Sequence, residues 1–215
     1  VWGENSAFEY GEKDKCDKGF ILNQSWVKKY GVTNGTSSKD WVAEDLSKRD
    51  LVAYENLSDL ELSQNNTKAI FLGYFLKWDP EMTKRVSLNS GFKTDPNGPR
   101  TGYYSHADID DDYISIHHWL KWYKFGFTRT FDNLSIEIRN QRIERKEAIR
   151  IISKNGDETP YQDIEKFCKF VCISKKEFYQ ISEKFRNKNI WKKNSDGVWY
   201  LPNFLIPDWV WQNEI

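Results

Sequence analysis

Apolar positions along the chain fall into three regimes. Residues 69–75, Ala-Ile-Phe-Leu-Gly-Tyr-Phe, form a continuous apolar run of strand length, which predicts a strand buried on both faces. The apolar pair Val1-Trp2, followed by Gly3 and polar residues, reads as a strand end running into a loop. Around these, short amphipathic stretches predict helices over 24–30, closed by Gly31, over 39–46 and over 56–62. A Gly- and Lys-rich loop occupies 10–19 and a polar turn 34–38. Asp79-Pro80 supplies an N-cap and first helical position for a helix ending near Gly91, and residues 94–98 are turn-rich.

Past residue 100 the period changes to 3.6. On a helix over 113–127, Tyr113, Ile116, Leu120, Tyr123 and Phe127 share one face. His117, Lys121 and Lys124 form a stripe beside it, and Trp119, Trp122 and Phe125 make the other sides apolar. A helix apolar nearly all round is a buried one, so this stripe needs anions against it, either carboxylates of the same protein or phosphates of a ligand. The segment 132–189 reads as a helical tail, with a helix over 144–154 and capping-box spacing at Thr159–Gln162 and Ser174–Glu177. Trp191, Trp199, Trp209 and Trp211, with prolines at 202 and 207, close the chain. The fold class expected is α/β: the end of a parallel, Rossmann-like sheet in residues 1–99, then a mostly helical region in residues 100–215. The opening at a strand end suggests a carboxy-terminal piece cut within a sheet.

Composition narrows the function. The 215 residues carry 32 basic and 32 acidic side chains, and zero net charge argues against a partner met through its phosphate backbone. No apolar run reaches membrane-spanning length, so no membrane insertion is expected. Cys16, Cys168 and Cys172 make no disulfide framework; Cys168 and Cys172 share a helix face and read as small buried residues. Asn-x-Ser/Thr sequons occur at Asn23, Asn34 and Asn133, but nothing else points outside the cell.

Candidate chemistry concentrates in residues 100–133, where carboxylates, three histidines, two lysines and two arginines stand among aromatic rings. Unpaired buried charge is too costly for a plain core, which points to the wall of a polar pocket. Asp110, Asp111 and Asp112 either cap the helix that follows or, with Asp108, hold Mg²⁺. His117 and His118 point about 100° apart on a helix and do not easily share a metal. Arg100 and Arg129 suit bidentate contact with phosphate or carboxylate, or pairing with a local Asp. No nucleophile–base constellation and no Gly-rich phosphate loop is visible.

Trp2-Gly3-Glu4-Asn5 with Glu9-Tyr10-Gly11, the run Ala107–Asp112, the long run from Ile114 through His117-His118 to Gly126, Asp132–Ser135, Gly156–Pro160 and Ile206–Trp209 resemble the N-acetyl sugar amidotransferases. These are similar to the PP-loop ATP pyrophosphatases of bacterial surface-glycan and flagellar sugar pathways. The resemblance implies conversion of a sugar acetamido group to an acetamidino group in the cytoplasm. ATP would activate the amide oxygen by adenylation, ammonia would attack the carbon and AMP would leave. Ammonia would come from a glutaminase partner working with a cyclase-like ammonia-channel subunit.

Carried onto this chain, Asp108, Asp110, Asp111, His117 and Lys121 are the expected catalytic residues. Glu4, Asn5, Arg100, Lys124 and Arg129 are expected to bind cofactor or substrate, a sugar or nucleotide-sugar, with ATP and Mg²⁺. The family's Ser-Gly-Gly-x-Asp-Ser phosphate loop and its Cys pairs, a zinc site, are absent here and are expected before Val1. The alternatives are a PP-loop enzyme acting on a tRNA base and a non-catalytic aromatic-rich module that docks carbohydrate or a partner.

Overall fold

The structure, a computed structural model, describes residues 1–3, 19–31, 33 and 35–206. Two compact units are present, Val1–Trp78 and Asp79–Ile215. The division falls ahead of the boundary expected at 99/100, for a chemical reason given below.

In the first unit, helix α1 (Gln24–Tyr30) begins where the Asn23 side chain accepts the Trp26 N–H at 2.8 Å. Helix α2 (Asp59–Gln64) opens with a reciprocal Ser58–Glu61 capping box. Both form because their first N–H groups find side-chain acceptors. The apolar run at 69–75 is extended only at its start. Ile70 bridges Ile21 in antiparallel sense and Phe71 bridges Trp2 in parallel sense. Phe71 is fully buried and packs on Trp26 with ring centroids 4.8 Å apart. Gly73, a weak strand residue, lies where the chain coils into a 3₁₀ turn, Leu72–Tyr74. Residues 39–46, expected as a helix, form a 3₁₀ turn over Ser38–Trp41 and then an Ala43–Leu46 bridge. Among the described residues the Trp2–Phe71 bridge is the only parallel pairing.

The second unit is helical. Helix α3 (Pro80–Asn89) is capped by Asp79, which accepts the Glu81 and Met82 N–H groups at 3.1 and 3.2 Å. Helices α4 (Ile114–Phe125), α5 (Arg129–Arg139), α6 (Arg145–Asn155), α7 (Tyr161–Phe170) and α8 (Lys175–Glu183) follow. A two-residue hairpin, β1 (Lys192–Lys193) with β2 (Trp199–Tyr200), comes last. Helix α4 packs against α5, α7 and α8, and α5 packs on α6. Ile116, Trp119, Trp122 and Tyr123 of α4 meet Ile164, Cys168, Phe178 and Trp191 in one core. Leu134, Ala148 and Ile152 form a second between α5 and α6.

Two polar ties fix this unit. The Tyr123 carbonyl, left without an intrahelical donor near the end of α4, accepts from Asn187 N and Trp191 Nε1, both at 3.0 Å. Arg142 holds Glu137 with two bonds, at 2.5 and 2.7 Å, and Asp79 at 2.8 Å. Because Asp79 also caps α3, this guanidinium joins α3 to the end of α5, and the second unit therefore starts at Asp79.

Candidate functional site

Helix α4 was expected to be buried nearly all round, with Tyr113, Ile116, Leu120, Tyr123 and Phe127 on one face. Tyr113, Ile116, Leu120 and Tyr123 do pack on the core, and burial extends to Ser115, His118, Trp119 and Trp122, whereas Phe125 is 55 % exposed. This burial turns His118 inward and leaves His117 exposed beside it, ring centroids 5.5 Å apart. Ser115, His118 and Trp119 line a cavity of about 230 Å³. Its other walls are Arg100 and Thr101 from the loop before α4, Arg129 at the start of α5, and the turn Asp157-Glu158-Thr159-Pro160 that enters α7.

Two guanidinium groups, Arg100 and Arg129, line the cavity beside Asp157 and Glu158, and both guanidinium groups are held in place. One Nη of Arg100 donates to the Asp112 carbonyl at 2.7 Å and lies 3.6 Å from Asp163. Asp163 also accepts from Ser115 Oγ at 2.6 Å. Arg100 Nε is buried with no hydrogen-bond partner. Arg129 Nε lies 3.5 Å from Asp108, whose backbone is left-handed at φ 58°. Gly102 sits on the same wall at φ 72°, where a Cβ would come within 2.4 Å of Asn133 Oδ1 and 2.8 Å of Arg129 Cγ. Only glycine permits this close approach. Asn133 Oδ1 accepts the Tyr103 N–H at 3.0 Å and so pins the loop that carries Arg100 and Thr101.

Two titratable groups face these arginines. His118 is 7 % exposed, and its Nδ1 is buried without a partner. Burial, with Arg129, His117 and Lys121 nearby, pushes its pKa down to about 3, so it is a neutral imidazole at pH 7. Burial raises the pKa of Glu158, while the Thr130 and Thr128 hydroxyls pull it the other way. Its Oε1 is likewise buried and without a partner. Asp157 is held by the turn, accepting Thr159 N at 2.9 Å, Thr159 Oγ1 at 2.6 Å and the Tyr161 hydroxyl at 2.5 Å.

Of the residues expected at the site, Arg100 and Arg129 line the cavity and Asp108 stands behind Arg129. The others point to different partners. Lys121 is ion-paired with buried Asp132, and Lys124 Nζ lies 5.1 Å from the centre of the Phe185 ring. Asp111 accepts the Tyr113 N–H at 2.7 Å just ahead of α4, whose first turn has no side-chain cap, and Asp110 is exposed. Glu4 and Asn5 lie outside the described residues. Glu158 was not singled out from the sequence, and His118 was weighed only beside His117 and not carried among the expected site residues. The hint available was a Glu inside a Gly-Asp-Glu-Thr-Pro turn, but the buried Thr128 and Thr130 that frame it stand on another element.

The donor set does not suit magnesium. Asp108 is held on Arg129 and Asp111 on a backbone N–H, and among the described residues no three His, Cys, Asp or Glu side chains converge as a metal site. The cavity is below the usual size of a small-molecule site, roughly 300–1,000 Å³. It accommodates one sugar-sized or phosphate-sized group, not a whole nucleoside triphosphate.

Residues 98–205, about half of the chain and including every residue that lines this cavity, match the family model "LPS biosynthesis protein WbpG-like, C-terminal domain". The chain belongs to this family. The WbpG-like domain places it in lipopolysaccharide biosynthesis, in a biosynthetic enzyme role. No curated protein matches the chain. Among the described residues of this WbpG-like protein, no helix is long and apolar enough to cross a membrane.

Proposed function

We propose that this chain is the substrate-holding, carboxy-terminal part of an ATP-dependent amidotransferase. The enzyme would convert a sugar N-acetyl group to an acetamidino group in bacterial surface-glycan biosynthesis. Ammonia would come from a glutaminase through a cyclase-like partner. One observation carries the reading: Arg100 Nε, His118 Nδ1 and Glu158 Oε1 are all buried without partners in residues lining one cavity. Each such group costs about 1–3 kcal/mol, and three around one small space mark a place for a polar ligand.

The roles follow from the chemistry of each group. Arg100 and Arg129 hold a carboxylate or phosphate of the sugar substrate, since two fixed guanidinium groups cost no reorganisation as the anion enters. Neutral His118 accepts or donates a hydrogen bond without adding charge. Glu158, biased toward its protonated form, donates to a sugar acetamido or hydroxyl oxygen. Trp119 gives the sugar ring an apolar wall. ATP supplies the leaving group that makes the acetamido carbon reactive; the residues here orient the sugar and exclude water.

The test is product formation by the full enzyme supplied with ATP, ammonium and an N-acetylated nucleotide-sugar, read by mass spectrometry as exchange of the acetamido oxygen for NH. Arg100→Ala and His118→Ala should each lower the rate by about tenfold or more, the scale expected for losing one fixed polar contact to the substrate. Unchanged rates in both variants, or no acetamidino product from the unaltered enzyme, would overturn the proposal.

A further inference from the structure

Two carboxylates compete for one Nη of Arg100. Asp112, just ahead of α4, lies 3.3 Å from that Nη, and Asp163, in the first turn of α7, lies 3.6 Å from it. The Asp112 side chain is 70 % exposed, whereas those of Asp163 and Arg100 are 20 % and 21 % exposed. The second oxygen of Asp163 accepts the Ser115 hydroxyl at 2.6 Å, so this carboxylate is tied to α4 as well as to its own helix. Asp112 also lies 3.9 Å from Lys166 Nζ. No other cation pairs with Asp163 among the described residues.

The two distances differ by about a tenth, so distance does not decide between the acids. Environment does. Attraction between unit charges scales inversely with the effective dielectric constant, about 80 in bulk water and roughly 20 beside a protein surface. An exposed pair such as Arg100 with Asp112 is worth little, and Lys166 draws on the same carboxylate. The pull of Asp163 is less screened. It also comes from a carboxylate that cannot follow the guanidinium outward, because Ser115 holds it. Arg100 Nε, buried without a partner, is left for a ligand.

We infer that Asp163 is a positioning residue that holds the Arg100 guanidinium on the cavity wall against Asp112, which draws the same Nη toward solvent. Asp163 itself does not line the cavity and acts through Arg100. The inference rests on the sugar-holding role proposed for Arg100. It also gives the acidic run ahead of α4 a part: Asp112 opposes substrate binding and supplies no cap to the helix.

Two readouts test it, and the first needs no reaction. In ¹H–¹⁵N spectra of the whole chain, the Arg100 Nε–H signal, identified by its loss in Arg100→Lys, should exchange slowly with solvent because the group is buried. Asp163→Asn keeps an oxygen for Ser115 and removes the charge; it should speed this exchange by about fivefold or more, within the range of couplings between residues in contact. Asp112→Asn should slow it. The second readout is the KM of the full enzyme for an N-acetylated nucleotide-sugar at saturating ATP and ammonium. Asp163→Asn should raise KM by about fivefold or more, with a smaller change in kcat, and should add nothing in an Arg100→Ala background. Asp112→Asn should lower KM by about twofold, since only an exposed pair is removed.

A KM rise on Asp163→Asn that persists undiminished in Arg100→Ala would show a carboxylate with only a structural role and would overturn the inference. So would unaltered exchange of the Arg100 Nε–H in Asp163→Asn, or a KM for Asp112→Asn at or above that of the unaltered enzyme. Should Asp163→Asn fail to fold, Asp112→Asn, at an exposed position, carries both readouts. If the unaltered enzyme forms no acetamidino product, the sugar reading fails, while exchange of the Arg100 Nε–H still decides whether Asp163 places the guanidinium.

Discussion

Lys121 and Asp132 are sealed against each other between α4 and α5, with side-chain exposures of 14 % and 8 %. The lysine that the sequence presented as a candidate for phosphate contact therefore has a carboxylate of its own, and Phe127 stands over its Nζ at 5.2 Å from the ring centre. Lys121→Ala would leave Asp132 buried and unpaired, a change that costs about 3–5 kcal/mol. Urea denaturation should show this loss, and Lys121→Met combined with Asp132→Leu should recover most of it. A Lys121→Ala protein of normal stability would mean the pair contributes nothing.

Acid should weaken the protein through His118. In the unfolded chain its imidazole titrates near the ordinary 6.5, and in the folded cavity only near 3. Above pH 6.5 both states are neutral and the group adds no pH dependence. As pH falls from 6.5 toward 3, the unfolded state alone takes the proton, so stability drops. His118→Gln should flatten the stability profile across that window; an unaltered slope would place the acid sensitivity elsewhere.

Glu158 acts in the opposite sense. Its pKa is raised from the ordinary 4.5 on folding, so below 4.5 both states carry the proton. Above it the unfolded chain releases its proton first, and stability falls as pH rises toward the folded value. Glu158→Gln removes this cost and should stabilise the protein at neutral pH while lowering turnover, the trade-off of a carboxyl kept for function. Calorimetry and product formation on one sample read both effects; a destabilised variant with full turnover would show Glu158 to be structural.

Gly102→Ala tests the wall of the cavity. The added methyl would meet Asn133 Oδ1 at 2.4 Å and would need a left-handed backbone at φ 72°. Strain of this kind costs of order 1–3 kcal/mol, and the relief available is for the loop to leave Asn133 and carry Arg100 with it. Substrate KM should rise well before the melting temperature collapses; an unchanged KM would show that Arg100 is placed independently of this loop.

Much of the second unit was legible as local signals. Asp79-Pro80, Ser174 and the 3.6-residue period of α4 mark helices because caps and amphipathic faces are short-range chemistry. Which of the two histidines of α4 turns inward was not legible. With Trp119, Trp122 and Phe125 outside the projected face, several rotations bury similar apolar area. The choice among them is made by α7 and α8, which place Ile164 and Phe178 against Trp119 and Trp122. That choice selects His118 over His117 and so fixes the site. Glu158 was invisible for a related reason: a glutamate in a turn reads as solvated until Thr128 and Thr130, on a separate element, enclose it. Arg100 and Arg129, both on the cavity wall, stood out because guanidinium groups bracketing an acidic, aromatic segment are informative wherever the chain goes.

The core has an optical consequence. Trp122 and Trp191 meet edge-to-face, centroids 5.0 Å apart and planes at 80°, and Trp191 belongs to the chain that leads into the β1–β2 hairpin. Two indoles so close and so crossed couple their electronic transitions, giving a paired-sign circular dichroism band that neither ring produces alone. Since Trp122 sits on α4 and Trp191 is about seventy residues later in the chain, that band reports long-range closure of the second unit, separately from its helix content. It makes docking of the terminal segment onto α4 observable in solution without a label.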